Sequence, residues 1–177
     1  LCRWNKIEPQ EDAITKANGI LDRIFRYQSS EGWYLEYQGF DAGYQSLCTY
    51  YLSDVYLNMP TEKLKESLIK SVNFLKYFTH PDGSFGGIYG SRATRFFYPS
   101  GFLVLKEEIE ELDDFNHFLG LSIKDQKIVT LSAIDESNLI PMFNSYCWSA
   151  VIESNSPNTI RQKSFNLPCF QSSRKLL

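Results

Sequence analysis

The sequence predicts an all-α protein made of stacked helical hairpins. Apolar residues recur at spacings of three and four along most of the chain, which is the period of an amphipathic helix. A loop rich in glycine and aromatic residues occurs twice, each time between two such helical segments. Repeats with periods of roughly 20 to 50 residues are typical of helical arrays. We therefore expect a hairpin domain over residues 1–153, shaped as an open arc or part of a ring, and an irregular tail over residues 154–177.

The first two helices are predicted from their apolar stripes. The first covers residues 10–28, and its stripe consists of Ile14, Ala17, Leu21 and Ile24. The stripe of the second consists of Tyr44, Leu47, Cys48, Tyr51 and Val55. Asn58 and Pro60 follow this stripe, and because such residues stop helices, the second helix should end there.

The third helix is predicted from a start signal and a long apolar face. Thr61 is placed to cap it, and Glu62 lies in the first turn, where a carboxylate favours the helix dipole. The helix should continue as far as His80, with Leu64, Leu68, Val72, Leu75 and Phe78 on one face. Pro99 and Ser100 open a predicted fourth helix, whose inward residues are Phe102, Leu105, Ile109 and Leu112.

The pattern weakens in the last third of the chain. The run "KIVTLSAI" predicts either a short strand or an irregular helix. A last helix is predicted after Asn138, with Leu139, Phe143, Tyr146 and Ala150 turned inward. The tail from Ser154 contains Pro157 and Pro168 and little periodicity, which indicates a linker, a strand of a following domain or a disordered segment.

Composition indicates one domain and excludes several classes of function. The chain has 177 residues, of which 43% are apolar, and this is enough for a single hydrophobic core. The 18 lysines and arginines are scattered and the net charge is -3, so the basic stripe of a nucleic-acid-binding protein is missing. No apolar run approaches the roughly 20 residues that cross a bilayer. We expect neither a nucleic-acid partner nor a membrane span.

Cysteines and histidines are too few and too far apart to predict a metal site. The four cysteines form no C-x-x-C pair, and two distant histidines complete no familiar ligand pattern. The run "GSFGGIYGS" lacks the lysine and the strand of a P-loop, so we expect no cofactor. Cys48 and Cys147 fall within helical apolar stripes as free thiols, which favours a reducing compartment such as the cytoplasm. The first residue is Leu1 rather than Met, which leaves export open.

The most informative feature is an internal repeat. The segment "EGWYLEYQGFDAGYQ" begins at Glu31, and "DGSFGGIYGSRATRF" begins at Asp82. Aligning them at an offset of 51 residues pairs Gly32 with Gly83, Tyr34 with Phe85 and Gly39 with Gly90. In both copies a helix ends, an acid-Gly turn and an aromatic loop follow, and another helix begins. The sequence therefore predicts a repeated helix-loop-helix unit whose two loops share one edge.

These loops resemble those of a known class of proteins. "HPDGSFGG" resembles the Asp-Gly-Ser-Phe-Gly-Gly loops of α/α toroids, found in protein prenyltransferase β subunits and in squalene and terpenoid cyclases. The longer runs "GWYLEYQGFDAGYQSLCTYYL" and "HPDGSFGGIYGSRATRFFYPSGF" are more similar to α/α-toroid proteins of bacterial glycan metabolism, including heparinase-like lyases and uronyl epimerases. The resemblance covers residues 13–112 and implies a toroid fold and an anionic polysaccharide ligand. The zinc ligands of the prenyltransferases and the Asp-rich motif of the cyclases are not recognisable.

The two loops supply the candidate catalytic residues. Glu36 and Asp41 lie in the first loop, and either could act as a general base or bind a sugar hydroxyl. The alternative is a solvated loop carboxylate, or a cap for the helix that starts near Gly43. Tyr89 in the second loop is the candidate for proton transfer or sugar stacking, with packing as the alternative.

The candidate substrate-binding residues are cationic or aromatic. Arg92 and Arg95 could hold a uronate or phosphate with two parallel hydrogen bonds. They could instead cap helix carbonyls or pair with the loop carboxylates. Tyr37 and Tyr44 suit stacking against a sugar ring or proton transfer to a leaving oxygen, with packing as the alternative.

His80 and Asp82 are interpreted as structural residues. His80 precedes a proline at a helix end, where a cation favours the helix dipole. Asp82 is placed to cap its own turn through its side chain.

Three functional interpretations follow, in order of preference. The first is an enzyme acting on an anionic polysaccharide, as a lyase, epimerase or hydrolase, with Arg92 or Arg95 facing a tyrosine-lined acidic groove. The second is a non-catalytic scaffold or carbohydrate-binding portion of a larger protein. The third is an isoprenoid-handling toroid, which would need a deep aromatic cavity with few charges. The expected partner is therefore an anionic oligosaccharide or polysaccharide.

Overall fold

The computed structural model describes residues 1–87, 89–106, 108–109 and 112–154. These residues contain seven α helices, one short 3-10 helix and no β-strand. The helices are α1 (Cys2–Ile7), α2 (Ala13–Arg26), α3 (Ala42–Asn58), α4 (Glu62–Leu75), α5 (Ser100–Val104), α6 (Leu112–Lys124) and α7 (Glu136–Ser154), and the 3-10 helix is Lys76–Phe78. The all-α prediction is confirmed. The predicted tail lies outside the described residues, except that Ser154 ends α7.

Helix α3 is the centre of the array, with α4 and α5 packed against it. Small polar residues on α3 face these neighbours and are buried, which lets the helix backbones approach closely. The hydroxyls of Thr49 and Ser71 lie 2.6 Å apart between α3 and α4. On the α5 side, the Ser53 hydroxyl donates to the carbonyl of Gly101 at 3.1 Å. The buried hydroxyls are thus hydrogen-bonded, as buried polar groups must be to avoid a desolvation cost.

The local signals for α4 are confirmed. The Thr61 hydroxyl accepts a hydrogen bond from the backbone N–H of Leu64 at 3.2 Å, as an N-cap residue does. The predicted apolar face is buried, with Leu64, Leu68, Val72 and Leu75 all at 0% exposure. The α helix itself ends at Leu75, and a single 3-10 turn continues the chain to Phe78.

An aromatic cluster connects the second loop to the helices. Phe85 contacts Phe97 with ring centroids 4.8 Å apart. Phe97 contacts Phe102 at 4.9 Å, and Phe102 contacts Phe115 of α6 at 5.5 Å. All four side chains are at most 2% exposed. The loop is therefore anchored in the core by burial of aromatic surface.

The single predicted fourth helix is wrong. Helix α5 has only five residues, and α6 begins separately at Leu112. A turn between them brings the amides of Glu108 and Ile109 to the carbonyl of Leu105, at 3.0 and 3.1 Å. Ile109 is still buried, at 7% exposure. Ile109 and Leu112 are buried as predicted, but a turn between α5 and α6, rather than a continuous helix, places them in the core.

The predicted inward face of α7 is also wrong in part. Leu139 and Phe143 are 38% and 52% exposed, while Met142 and Ser145 are fully buried. The Ser145 hydroxyl lies 2.8 Å from that of Ser100, so small side chains let α7 pack closely on α5. The prediction followed apolar periodicity alone and missed this small-residue face. The exposed thiol of Cys147 likewise lies outside the core in which it was predicted.

The run "KIVTLSAI", residues 127–134, is irregular and contains one turn at residues 131–133, rather than the predicted strand or helix. Ile128 is nevertheless buried in the main core, at 3% exposure. Leu131 and Ile134 pack against a second cluster that contains Tyr98 and Met142. This segment therefore acts as an apolar connection between α6 and α7.

Candidate functional site

Each of the two repeated loops makes the same set of internal backbone hydrogen bonds. We call them the first loop (residues 29–41) and the second loop (residues 80–95). In and beside the first loop, the N–H of Gly32 donates to Ser29 O, that of Ser29 to Trp33 O and that of Leu35 to Tyr27 O. The equivalent bonds of the second loop run from Gly83 N to His80 O, from His80 N to Ser84 O and from Gly86 N to Phe78 O. Gly32 and Gly83 have positive φ angles of 107° and 89°. Every pair has the same 51-residue offset, so the predicted repeat is confirmed in three dimensions.

Asp41 joins the two loops. One carboxylate oxygen accepts from the Tyr44 N–H at 3.1 Å, which caps α3, and also from the Thr94 hydroxyl. The other oxygen accepts from the backbone N–H groups of Arg92 and Thr94, at 3.0 and 3.2 Å. Asp41 is 1% exposed. The two loops thus share an edge as predicted, and the capping alternative for this carboxylate is the one that the contacts bear out.

An open groove lies where the two loops meet. Its lining consists of Tyr37, Gln38, Gly39 and Phe40 from the first loop and Gly90, Ser91 and Arg92 from the second, around a volume of about 940 Å³. The amide of Ser91 donates to the carbonyl of Phe40 at 2.7 Å, which fixes the floor. Gly90 has φ 85°, and a Cβ there would lie 2.6 Å from the Phe40 carbonyl oxygen. Glycine is therefore required at this position for the loops to approach.

Arg92 is held across this groove by two tyrosines. One guanidinium N–H donates to the Tyr37 hydroxyl at 2.8 Å. The guanidinium carbon lies 5.0 Å from the ring centroid of Tyr37 and 5.4 Å from that of Tyr44, within cation–π range. The structure thus brings together Arg92, Tyr37 and Tyr44, which are three of the four predicted substrate-binding residues, because Asp41 joins the two loops.

The backbone around Arg92 adopts an uncommon conformation. Tyr37 and Ala93 both have left-handed φ angles, 55° and 54°, although neither is a glycine. Such residues cost on the order of 1–3 kcal/mol each and concentrate at binding and active sites. Tyr37 stands at the tip of a tight turn closed by hydrogen bonds between Glu36 and Gly39, and its side chain is 70% exposed. This unfavourable conformation is another reason to treat the groove as functional.

The remaining predicted site residues lie apart from Arg92. The Tyr89 hydroxyl is 3.3 Å from a ring nitrogen of His80. Arg95 is exposed and makes no hydrogen bond or ion pair with the part of the chain that the structure describes. Glu36 is half-buried near Cys48, where burial first and the Glu36 carboxylate second raise the pKa of the thiol to about 12. Cys48 is therefore held as an unreactive thiol.

Sequence reasoning missed two contributors to the site, Thr94 and Ser91. The repeat itself contained a signal for Thr94, since the 51-residue offset places it opposite Gly43. A Cβ on Gly43 would collide with the Thr94 hydroxyl, so this glycine in the first turn of α3 makes room for the second loop. Ser91 contributes through its backbone, and its side chain gave no comparable signal.

Comparisons of the chain with protein-family models, with characterised proteins and with solved structures found no match. Across the described residues, no helix has the length and apolar character needed to cross a membrane. The functional interpretation therefore depends on the geometry and chemistry of the groove.

Proposed function

We propose that the groove between the two loops binds an anionic oligosaccharide, and that Arg92 makes the main contact with its negative charge. A guanidinium presents five N–H donors in a planar fork that matches a carboxylate. Among the described residues, the Tyr37 hydroxyl is the hydrogen-bond partner of the Arg92 side chain. Most of the donors therefore remain available to a ligand, while the tyrosine rings hold the guanidinium in position.

The tyrosines of the groove support a sugar as the carrier of that charge. Tyr37 is 70% exposed and forms one side of the groove. Binding sites typically join aromatic walls to a few fixed polar groups, in volumes of roughly 300 to 1,000 Å³. An aromatic surface next to a fixed guanidinium suits a ring that has an apolar face and carries a carboxylate. This combination favours a uronate over a small inorganic anion.

The contacts of the loop carboxylates favour binding over processing. Both oxygens of Asp41 accept hydrogen bonds from within the protein, so this group is not available as a base. Glu36 is half-buried and is not among the lining residues of the groove. Of the interpretations made from the sequence, a carbohydrate-binding portion of a helical array of the α/α-toroid type is thus the one we propose. A lyase, epimerase or hydrolase activity would need a proton-transfer group elsewhere on the rim.

The experiment that tests this function is calorimetric titration of oligogalacturonate into the wild-type protein and into Arg92→Ala. Arg95→Ala is the matched control, because Arg95 lies in the same loop but does not line the groove. A neutral maltooligosaccharide shows whether the ligand's charge is needed.

A further inference from the structure

Helix α7 has an exposed apolar face on the side opposite its contact with α5. Met142 and Ser145 lie on the contact side and are fully buried. On the opposite side, Ile140 and Phe143 are 68% and 52% exposed, and the thiol of Cys147 is exposed as well. These three residues recur at spacings of three and four, so they share one face of the helix. We call this face, Ile140, Phe143 and Cys147, the outer face of α7.

Helix α7 has few charges for a helix that is exposed along one side. Over its 19 residues the charged side chains are Glu136 in the first turn and Glu153 in the last. Both are exposed, and neither forms an ion pair with a residue that the structure describes. A helix that is apolar on opposite sides is ordinarily packed on both of them. The outer face therefore has the composition of a contact surface, apolar along its length and acidic at both ends.

The tail that follows α7, residues 155–177, has the complementary composition. It lies outside the described residues, but its sequence combines apolar residues with basic ones and contains no aspartate or glutamate. It begins with Pro157 among Asn and Ser residues, which is the composition of a turn. An extended chain covers roughly 3.3 Å per residue and a helix rises about 1.5 Å per residue, so the tail is long enough to return along all of α7. The basic residues of the tail are Arg161, Lys163, Arg174 and Lys175.

The charges of α7 disfavour a second copy of the chain as the occupant of its outer face. If two outer faces met in antiparallel orientation, the acidic first turn of each helix would approach the acidic last turn of the other. In parallel orientation, the two first turns would meet, and so would the two last turns. Either arrangement brings like charges together, whereas the basic tail brings opposite charges to both ends of the helix.

We propose that residues 155–177 dock on the outer face of α7 in the same chain. Apolar side chains of the tail cover Ile140, Phe143 and Cys147, and its basic side chains approach Glu136 and Glu153. Burial of apolar surface stabilises the contact, and the charges select the tail over other partners. The tail thus acts as a cap for the helical array, in which each unit needs a neighbour on its apolar side. This contact is separate from the groove and does not depend on its ligand.

Cys147 is a native probe of this contact, because its thiol lies on the outer face. Alkylation of the 177-residue chain with iodoacetamide, followed by mass spectrometry, gives a rate for each cysteine. The rate in urea is that of the uncovered thiol. We expect Cys147 of the native protein to react at least about tenfold more slowly than in urea, because the reagent must wait for the tail to open. A native Cys147 that reacts as fast as it does in urea would overturn the proposal.

Charge reversal in the tail tests what protects Cys147. Reversal should speed alkylation of Cys147 by at least about fivefold, while Cys2 on α1 keeps its rate as an internal control. Adding Glu136→Lys and Glu153→Lys to the reversed tail restores opposite charges and should restore the protection. Circular dichroism checks that each variant is folded. The tail substitutions are Arg161→Glu, Lys163→Glu, Arg174→Glu and Lys175→Glu.

Three results of these measurements would contradict docking of the tail. The first is protection of Cys147 that the reversed tail leaves unchanged. The second is protection that the charge swap on α7 does not restore. The third is protection that increases with protein concentration, which would show that a second copy, rather than the tail of the same chain, covers the outer face.

Discussion

The backbone N–H of Arg92 donates to the Asp41 carboxylate at 3.0 Å, and these residues hold equivalent positions 51 residues apart in the repeat. The same carboxylate caps α3 through the Tyr44 amide. Asp41, which caps α3, thus fixes the backbone of Arg92, whose side chain lines the groove. Asp41 matters to the proposed function through this geometry, although it is itself buried.

The first prediction concerns the stability that Asp41 provides. Asp41→Ala should lower the free energy of unfolding by roughly 3 kcal/mol, because a helix cap is lost and two part-buried N–H donors of the second loop lose their partner. Chemical denaturation measures this loss. Asp12→Ala is the control, since Asp12 precedes α2 without a side-chain capping bond and should cost much less. Equal losses in the two variants would contradict the role assigned to Asp41.

The second prediction concerns Gly90 in the floor of the groove. Gly90→Ala should destabilise the protein by about 1–3 kcal/mol, because φ is positive and the added Cβ would meet the Phe40 carbonyl. Gly19→Ala is the contrasting control, since Gly19 lies inside α2 with nothing within 4 Å of the added carbon. That change should stabilise the protein by roughly 0.5–1 kcal/mol. If thermal denaturation showed that both variants change stability in the same direction, the role assigned to the positive φ of Gly90 would be contradicted.

The third prediction concerns the pH dependence of stability at Asp82. The Ser84 N–H, followed by its hydroxyl, lowers the pKa of Asp82 below its ordinary value of 3.8. A lowered carboxylate pKa stabilises the fold above the unfolded-state value, and the contribution disappears as pH falls through the folded-state pKa. Wild type should therefore be more stable than Asp82→Asn near neutral pH, and the difference should shrink below about pH 4. A difference that stays constant on acidification would show that the carboxylate charge is not involved.

Much of the helical structure follows from local signals. The apolar face of α4 is continuous in the sequence, and the Thr61 cap and the stop at Asn58 lie within a few residues of the helix ends that they mark. The predicted stripe of α3 is wrong in part, since Tyr51 is 50% exposed and the buried face of α3 contains Ser46, Thr49 and Ser53 instead. The face of α7 could not be predicted in this way. Ser145 points inward because α5 offers Ser100 opposite it, and this contact spans 45 residues of sequence.

The repeat in the sequence predicted part of the site, namely the proximity of the two loops. The common 51-residue offset indicated that the two loops share an edge, and this placed Tyr37 and Arg92 in one region. The sequence could not separate Tyr89 from Arg92, because the direction of each side chain depends on the loop backbone. The left-handed conformation of Ala93 also has no signal in its residue type.

In the proposed function, Arg92 recognises the charge of a uronate in the groove. We expect wild type to bind oligogalacturonate and to bind a neutral maltooligosaccharide weakly or not at all. A charge-assisted hydrogen bond contributes on the order of 1.5–3 kcal/mol, so Arg92→Ala should lose at least about tenfold in affinity. Arg95→Ala should lose far less, and moderate salt should weaken the wild-type interaction because ions screen exposed charges.

Isothermal titration of oligogalacturonate into wild type, Arg92→Ala and Arg95→Ala at low salt is the most direct measurement of this claim. We expect saturable binding by wild type, a loss of at least about tenfold for Arg92→Ala and near-normal binding by Arg95→Ala. No binding by wild type, or undiminished binding by Arg92→Ala, would contradict it.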